Sequence, residues 1–598
     1  MRTRTGRWHR TVPLLVARLV PLLVSLLVTA LVLSCTADPP PLVAPDQAVE
    51  PAAPTASEQP EEIVIGVDDL DGGFNPHTLA DLTPTGAALA GLLLPSAFRQ
   101  QPDGSWQLDR TLLSSAEVTG TDPFTVTYRI RQDAAWSDTA PIAAEDFGYL
   151  AEQMRSQPGV IDSAGYQLID QVNSADGGKT VRVQFRSPYP GWRTLFRHLL
   201  PAHLLKDAPG GFANALDNTV PVSGGPFVLT SVDPARRELV LARNDRYWAD
   251  PAQAGRLVLR QLFPAELALS LRSGAVQAGL FGRPDATTTY LLDRADVAQR
   301  RVVPQPSVAT AVLRPVAAPL DEEPVRAAVA AALDRASLIA TGTGSGPSRE
   351  LVANAQVLAP SQPGYEATVP ESGPPVEPDE GTVIELLAEA GYARVPQGWE
   401  RGGELLELVV AAPEDRDPYP ILASRVAAQL RMLGIRVRLA TPSADELYTT
   451  LLDPETADAA TGRAAPAADD TGAEGLDDPD GPVHIAMVPQ PAGGDPATVL
   501  ASVHGCPLVV PAGVPMAPGN LAGVCDPPLQ QRIDDALTGA APVDAVAPAV
   551  EPVLWDRLVS VPLYQHSSVL VTVPELAGVT PGPLLEGPLN GAAQWQLR

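Results

Sequence analysis

The chain has 598 residues, of which 45% are hydrophobic, and it carries a formal net charge of −28 at pH 7. This length exceeds a single hydrophobic core and predicts two or three domains or lobes. The acidic charge, with only two lysines, argues against nucleic acid as a partner, because a phosphate backbone is bound by clustered Lys and Arg.

The first 35 residues are predicted to be a targeting segment. Arginines at its start precede an apolar run from Leu19 to Leu33, which ends at Ser34-Cys35. This ending resembles a bacterial lipobox, in which the cysteine is acylated and becomes the mature N-terminus, so Cys35 is the predicted lipid-attachment site. The alternative is a retained transmembrane anchor. Both interpretations place the body on the outer face of the plasma membrane, where each buried CH₂ of an acyl chain contributes about 0.8 kcal/mol.

A linker, a short strand and a turn follow the targeting segment. Residues 36–61 are rich in Pro and Ala and have no apolar period, which predicts a disordered linker. Residues 63–67 form an apolar run, which predicts a strand. A turn is predicted next, over Gly72-Gly73-Phe74-Asn75-Pro76-His77. Its Asn-Pro pair restricts the backbone, and its two glycines allow more backbone conformations.

The stretch from Phe124 to Leu150 changes its repeat period halfway. Apolar and polar residues alternate from Phe124 to Ile130, which predicts a strand with one buried face. Trp136-Ser137-Asp138 supply turn chemistry, and Ala144-Glu145-Asp146 open a run that predicts a helix. The periodicity alone indicates an ordinary strand, loop and helix.

These residues resemble the signature of family 5 extracellular solute-binding proteins, the oligopeptide- and dipeptide-binding type that serves ABC importers. Arg129-Ile130-Arg131, Trp136-Ser137-Asp138 and Ala144-Glu145-Asp146 match in order and spacing, while Thr139 replaces the usual glycine and Phe147 the valine. A later segment resembles a second motif of the family. The resemblance implies a structural role for the motif residues, which are Trp136, Ser137, Asp138, Glu145, Asp146, Asn244, Tyr247 and Trp248.

The resemblance implies an α/β, two-lobed periplasmic-binding-protein-like fold of the type II, large family 5 class. Its discontinuous lobe I is expected to comprise 62–305 and 484–598, and lobe II 306–483, with a hinge where the chain crosses. Such lobes close on a ligand in the crevice between them. Residues 453–482 have almost no large apolar side chain and predict a flexible insertion. The apolar stripe of residues 325–340 predicts one helix.

The predicted ligand contacts come from two segments that face the cleft in family members. One is the turn after the first strand. The other follows the predicted strand 483–488, where peptide-binding relatives carry a Trp and an Asp that pairs with a peptide's amino terminus. Neither residue is present here, and because a buried ammonium without a partner is costly, ordinary peptides are disfavoured. The predicted contacts are Phe74, Asn75, Pro76, His77, Met487, Val488, Pro489 and Gln490.

The likeness also extends to a narrower group within the family. Segments over most of the chain, among them 154–169, 188–196 and 241–248, resemble a mycobacterial lipoprotein that is described as binding a phosphatidylinositol mannoside. The predicted function is therefore a membrane-anchored, non-catalytic protein that binds a glycolipid or another amphiphile between its lobes and takes part in regulating mannolipid synthesis. The alternative is the oligopeptide-binding component of an ABC importer. The expected partners are a small-molecule, peptide or glycolipid ligand, the membrane, and an ABC permease or glycolipid-synthesis enzymes, with the protein itself a monomer.

Little else in the sequence indicates chemistry. Cys506 and Cys525 are an even pair in an extracytoplasmic setting and predict a disulfide, which contributes about 3 kcal/mol on the chain-entropy model. A metal site would need more ligands. The sequence lacks a Gly-x-Ser-x-Gly elbow, a His-Glu-x-x-His pair and a Walker loop, so no catalytic residue, cofactor or metal is predicted.

Overall fold

The computed structural model describes residues 61–295, 297, 299–452, 481–509, 515–516 and 518–598. The predicted leader and linker, Cys35 and most of the predicted insertion 453–482 lie outside the described residues. Contacts group residues 60–598 into one compact unit, so this part of the chain is expected to fold on its own.

Strands supply the framework of the described chain. In chain order they are β1 (Glu62–Val67), β2 (Phe98–Gln100), β3 (Trp106–Leu108), β4 (Leu113–Thr121), β5 (Phe124–Ile130), β6 (Ile169–Ala175), β7 (Thr180–Phe185), β8 (Phe227–Asp233), β9 (Glu238–Arg243), β10 (Arg256–Gln261), β11 (Ala278–Phe281), β12 (Gln299–Leu313), β13 (Ala393–Val395), β14 (Gly398–Arg401), β15 (Glu404–Leu405), β16 (Glu407–Ala411), β17 (Arg436–Ala440), β18 (Ile485–Pro491), β19 (Leu508–Val509), β20 (Pro515–Met516), β21 (Ser560–Thr572), β22 (Leu576–Ala577) and β23 (Gln596–Leu597).

Helices cover the sheet faces and connect the strands. Among the described residues they are α1 (Pro84–Leu93), α2 (Ala144–Ser156), α3 (Ala164–Gln167), α4 (Ala202–Leu205), α5 (Gly211–Asn214), α6 (Pro264–Ser273), α7 (Ala286–Leu292), α8 (Glu323–Ala332), α9 (Arg335–Thr343), α10 (Glu380–Glu389), α11 (Tyr419–Met432), α12 (Ala444–Glu446), α13 (Pro496–His504), α14 (Pro527–Thr538) and α15 (Val543–Arg557).

Ten strands of the described chain build one continuous sheet in the order β17-β16-β18-β12-β21-β11-β1-β10-β9-β8. The two long strands in its middle, β12 and β21, pair in antiparallel orientation and shift register between Pro304 and Val308. This irregularity divides the sheet into a half that contains β1 and a half that contains β16 to β18. The predicted lobe boundary at 305/306 falls at the same place.

Each half of the sheet has its own hydrophobic core. Val303 of β12 is buried in the first core, whereas Ala311 and Leu313 of the same strand are buried in the second. A smaller third core joins the two halves, because Leu79 from the first packs with Tyr448 from the second. The long strands therefore cross between two separately packed bodies, which are called lobe I and lobe II below.

Strand β18 belongs to the second half of the sheet. The predicted boundaries placed it in lobe I, but it pairs with β16 and β12 and buries Ile485 and Met487 in the second core. The first part of β21 also packs in that core, through Val561 and Leu563. The lobe limits 62–305, 306–483 and 484–598 stay a prediction.

The signature stretch forms part of a four-stranded sheet with order β4-β5-β7-β6. Strand β5 has the bounds that the alternation predicted, and Val126 and Tyr128 are fully buried. The ring of Tyr128 packs against Phe147 of α2 and against Phe196, with centroids 5.6 Å and 5.4 Å away. This aromatic cluster ties the signature helix to the small sheet.

The predicted single helix over 325–340 is wrong, because the structure has two helices, α8 and α9, with a break at Leu333-Asp334. The side chain of Asp334 accepts a hydrogen bond from the backbone N–H of Ser337 at 2.8 Å. An aspartate in this position caps a new helix. The apolar stripe continues across the break, which is why periodicity alone did not reveal it.

Candidate functional site

The predicted turn after β1 is tied into lobe I by its own polar groups. The Asn75 amide donates to the carbonyl oxygen of Phe212 at 2.8 Å and accepts from the N–H of His77 at 3.1 Å. His77 Nε2 lies 2.9 Å from the carbonyl oxygen of His198, and burial lowers the pKa of His77 to about 4. Phe74 is buried and Pro76 is half-buried. A ligand role for these four residues stays a prediction.

The second predicted segment lies within and at the end of β18. Met487, Val488 and Pro489 are buried, while Gln490 is half-buried and accepts from the Ser560 hydroxyl at 3.4 Å. Of these four residues, Gln490 lines a cavity of about 40 Å³ between β18, α13 and residues 355–359. Ligand pockets usually measure roughly 300–1,000 Å³, so this cavity is too small for a ligand of ordinary size.

The signature residues make their contacts within lobe I. Asp146 accepts from the backbone N–H groups of Ala143 (2.9 Å) and Ala202 (3.0 Å), and its burial raises its pKa to about 6. Asp138 pairs with His203 at 2.8 Å. The remaining contacts are Ser137 with Ser223, Glu145 with Lys206, Asn244 with Gly225, and Trp248 with Thr111, while Trp136 is fully buried and the Tyr247 ring packs on Trp248.

One arginine crosses from lobe II to lobe I. Arg416, in the loop between β16 and α11, donates through Nη2 to the carbonyl oxygen of Ala80 at 2.6 Å and through Nη1 to Asp415 at 2.9 Å. Gly72 lies against it with φ +104°, and a Cβ there would stand 2.7 Å from Nη2. A glycine is therefore required on the lobe I side for the guanidinium to reach its acceptor.

Carboxylates from both lobes gather around Arg416. Partial burial raises the pKa of Asp69 to about 7, and burial raises that of Asp81 to about 6. Asp81 accepts from the N–H groups of Gly73 (2.8 Å) and Asn75 (3.2 Å), so it fixes the turn next to this contact. Burial also raises the pKa of Asp445 on lobe II, and the charge of Asp445 raises the pKa of Asp81. Ionised carboxylates accept hydrogen bonds from hydroxyl and ammonium groups alike.

A second polar contact lies on β21, where this strand crosses between the lobes. The Tyr419 hydroxyl, at the start of α11, lies 2.8 Å from Nε2 of His566. Burial, with the charge of Arg283, lowers the pKa of His566 to about 4, so the ring is neutral. The Ser345 hydroxyl of lobe II donates to the carbonyl oxygen of Pro284 in lobe I at 2.7 Å. The two lobes therefore meet through specific polar groups on both sides of the hinge.

A disulfide joins Cys506, just after α13, to Cys525, just before α14. Helix α13 packs on both lobes: the Thr498 hydroxyl lies 2.7 Å from the hydroxyl of Tyr189, and Leu500 lines the cavity beside Gln490. The bridge thus closes the loop that follows a helix of the inter-lobe region.

Some of the inter-lobe residues had a signal in the sequence and others had none. Asp69 follows a strand that pairs in parallel with β10 and β11, and crevices form at the carboxyl ends of parallel strands. Arg416 and His566 have no local pattern around them, because their partners are distant in the chain.

The described part of the chain has neither a helix suited to cross a membrane nor a cluster suited to hold a metal ion. Across residues 61–598, excluding the gaps given above, no helix has both the length and the apolar character needed to cross a membrane. In the same residues no cluster of three or more His, Cys, Asp or Glu side chains is arranged to hold a metal ion.

Comparison with known proteins gives the family of this two-lobed chain. Residues 110–473 match the model of the bacterial extracellular solute-binding proteins, family 5 middle region. The chain belongs to family 5 of the bacterial extracellular solute-binding proteins, so the predicted family is confirmed. Members bind peptides or other solutes, which assigns this chain a binding role and an extracytoplasmic location.

Within this family the chain is similar over its length to a named mycobacterial protein. It is 36% identical to the probable monoacyl phosphatidylinositol tetramannoside-binding protein LpqW of Mycobacterium tuberculosis (strain CDC 1551 / Oshkosh), over 94% of this chain and 96% of that protein. It is 26% identical to the oligopeptide-binding protein OppA of Mycobacterium bovis (strain ATCC BAA-935 / AF2122/97), over 70% of this chain and 71% of OppA.

A solved structure shows the same fold. The oligopeptide-binding protein AppA of Bacillus subtilis, in complex with a nonapeptide, matches with a TM-score of 0.68 and 15% identity, over 90% of this chain and 100% of AppA. The two-lobed α/β fold predicted from the sequence is confirmed by this match.

Proposed function

We propose that this protein is a non-catalytic lipoprotein that binds a glycolipid or another amphiphile between its two lobes. Cys35 would anchor it to the outer face of the plasma membrane, and its ligand-bound form would take part in regulating mannolipid synthesis in the cell envelope. The observation that carries the proposal is the 36% identity over nearly the full length of both chains to a protein named for binding a phosphatidylinositol tetramannoside.

The inter-lobe contacts support this proposal chemically. Mannose residues present many hydroxyl groups, and the carboxylates of Asp69, Asp81 and Asp445 are acceptors for them once the lobes separate. The cavity beside Gln490 is walled mainly by apolar side chains, among them Val357 and Leu500. An opened crevice would therefore offer a sugar headgroup and an acyl chain different surroundings.

A second candidate function has a specific observation in its favour. The oligopeptide-binding component of an ABC importer needs a carboxylate for the peptide's amino terminus, and residues 488–491, the expected place, contain none. The structure brings carboxylates to the lobe contact from other segments, Asp69 and Asp81 on one side and Asp445 on the other. Peptide import is the alternative function on this ground.

A ligand titration separates the two functions. The thermal stability of residues 61–598 is followed with phosphatidylinositol mannosides, with phosphatidylinositol lacking mannose as the matched control, and with a mixed tri- to pentapeptide library. A ligand at a hundred times its Kd stabilises by about 2.7 kcal/mol. We expect stabilisation by the mannosides only. Stabilisation by peptides only would establish the alternative, and an equal response to both inositol lipids would refute recognition of mannose.

Attachment is tested on the full chain. Cys35→Ala removes the thiol that would carry the acyl chains, so we expect the variant to stay unprocessed or to be released from the membrane. Fatty-acid labelling that persists in the variant would contradict Cys35 as the attachment site.

A further inference from the structure

Large apolar side chains are exposed on one part of lobe I. Phe263, at the start of α6, is 68% exposed, Leu269 in α6 is 51% exposed, and Tyr290 in α7 and Val302 in β12 are each 54% exposed. All four lie within 40 positions of each other in the chain. Such residues are individually common on surfaces, but a group of them on one face marks an interaction site.

Strand register places these residues on the same face of the large sheet. Leu267 of α6 packs directly on Gly66 and Gly279, so α6 covers the face to which Gly279 points. Gly279 and Arg300 both pair with Val571 and share this face. Val302, two residues after Arg300, points the same way because side chains alternate along a strand.

Helix α7 lies on this face as well. Asp293, directly after α7, forms an ion pair with Arg300 at 2.6 Å, and α6 and α7 contact each other. The outer sides of α6 and α7 and the exposed start of β12 therefore form one continuous surface.

The charges of this surface nearly balance, in contrast to the rest of the chain. Between Arg256 and Arg301 there are seven arginines and four acidic residues, in a protein whose net charge is −28. Three of these arginines form ion pairs, Arg256 with Glu62, Arg260 with Glu238 and Arg300 with Asp293. The guanidinium carbon of Arg294 lies 3.6 Å from the ring centroid of Tyr290, and that of Arg237 lies 5.6 Å from the ring centroid of Phe263. The arginine–aromatic face is defined here as Arg237, Phe263, Leu269, Tyr290, Arg294 and Val302.

We propose that the arginine–aromatic face docks on the surface of a bilayer that contains anionic phospholipid. Arginines attract phosphate headgroups, and aromatic rings with a polar or charged neighbour are enriched at the level of the headgroups. Arg237 and Arg294, which lie beside the exposed rings, can contact phosphate headgroups, whereas the strongly acidic remainder of the chain would be repelled by an anionic surface. The inference concerns the membrane surface alone and does not depend on which ligand occupies the crevice.

The position of the N-terminus is compatible with this docking. Strand β1, which begins at Glu62, lies in the sheet whose face carries α6 and α7. If Cys35 is acylated, the predicted linker 36–61 spans at most roughly 90 Å when fully extended. Such a tether keeps lobe I near the bilayer but leaves its orientation free, so a docking face would set that orientation.

Vesicle sedimentation tests the proposal with residues 61–598, which form one compact unit and lack the predicted acyl chains. The vesicles are phosphatidylcholine alone, or phosphatidylcholine with part replaced by phosphatidylglycerol, and neither contains a mannolipid. One variant carries Phe263→Ser, Leu269→Ser and Tyr290→Ser, and a second carries Arg237→Glu and Arg294→Glu. The matched control carries Ile421→Ser and Met432→Ser, which are 50% and 76% exposed on α11 of lobe II.

We expect the wild type and the control to bind the anionic vesicles, and both face variants to lose at least about tenfold of that partitioning. Added salt should weaken the binding that remains, because the attraction is electrostatic. Equal thermal midpoints show that the variants are folded. If the serine variant is unstable, the charge variant decides the test, because both of its arginines are exposed.

Three results would overturn the proposal. The first is an equal loss of vesicle binding in the control variant. The second is wild-type binding that does not need anionic lipid, or that does not occur. The third is self-association of the wild type that the face variants abolish, without any vesicle binding. The last result would make a second copy of the chain the occupant of this face. Ligand titration without vesicles remains a separate test of the proposed function.

Discussion

Arg416→Ala should shift the equilibrium between the closed and open lobes. Its Nη2 donates across the lobe contact to the carbonyl oxygen of Ala80 at 2.6 Å, and both residues are buried. A hydrogen bond from a charged donor contributes about 1.5–3 kcal/mol, and removing one partner leaves a buried acceptor unsatisfied. Because 1.4 kcal/mol is a factor of ten, opening should become about tenfold to a hundredfold more favourable.

Hydrogen–deuterium exchange measures this effect at both sides of the contact. In Arg416→Ala, amides of residues 79–82 in lobe I and 447–452 in lobe II should exchange faster, whereas the strands of the two main cores should not. Arg425→Ala is the matched control. Its guanidinium donates two hydrogen bonds, at 3.2 Å and 2.9 Å, to the hydroxyl oxygen of Ser337 within lobe II.

Two outcomes would refute this reasoning. If exchange at 79–82 and 447–452 is unchanged, the Arg416 contact does not hold the lobes together. If exchange rises everywhere, the substitution destabilises lobe II and says nothing about closure. Arg416→Lys should be intermediate, because a lysine keeps the charge but cannot reproduce the planar fork that serves Ala80 and Asp415 together.

Three further predictions concern stability, each measured by urea unfolding. Asp81→Asn should remove a pH dependence of the free energy of unfolding. The wild type loses up to about 3 kcal/mol of this free energy as the pH rises from about 4 through the folded pKa of about 6, because the buried carboxyl must ionise. A difference between wild type and variant that is constant with pH would contradict this. Glu551→Gln should cost about 1.5–3 kcal/mol, because its carboxylate accepts from the N–H of Val357 at 2.8 Å, and exchange should rise first in residues 355–359. Replacing Cys506 and Cys525 by Ser should lower the free energy of unfolding by about 3 kcal/mol, because the disulfide closes a ring with a sequence separation of 19. An unchanged free energy would show that the reduced chain is already constrained.

Local sequence patterns predicted single elements better than their assembly. The alternation from Phe124 to Ile130 gave the bounds of β5, because one buried face imposes a period of two. The stripe of 325–340 failed as one helix, since Asp334 begins a new helix within it without interrupting the apolar spacing. The motif around Trp136 led to the family because its residues lie close together in the sequence and hold the lobe I scaffold, although their partners, such as Ala202 for Asp146, are distant in the chain.

The inter-lobe site was beyond such patterns for a physical reason. Arg416 and its acceptor Ala80 are 336 positions apart, so nothing near either residue indicates the contact. The predicted turn around Asn75 was located correctly after β1, but its polar groups proved to be occupied within lobe I. Asp81, which fixes that turn and faces the other lobe, carried no motif and was not predicted.

The two polar contacts between the lobes respond to pH in opposite directions. If opening of the lobes hydrates both contacts, the pKa of Asp69 falls from about 7 to its ordinary value near 3.8. The closed form therefore becomes more favourable as the pH falls through 7. The pKa of His566 rises on opening from about 4 to its ordinary value of 6.5, so the closed form becomes less favourable as the pH falls below 6.5. The carboxylate acts alone only above 6.5, and below it the two effects oppose each other. Asp81, with a pKa of about 6, adds a second carboxylate effect as the pH falls below 6. The closed form should therefore become more favourable as the pH falls from about 7 to 4, which small-angle scattering across this range can measure. A closed form that becomes less favourable over this range would show that the histidine contact, and not the carboxylates around Arg416, governs the lobes.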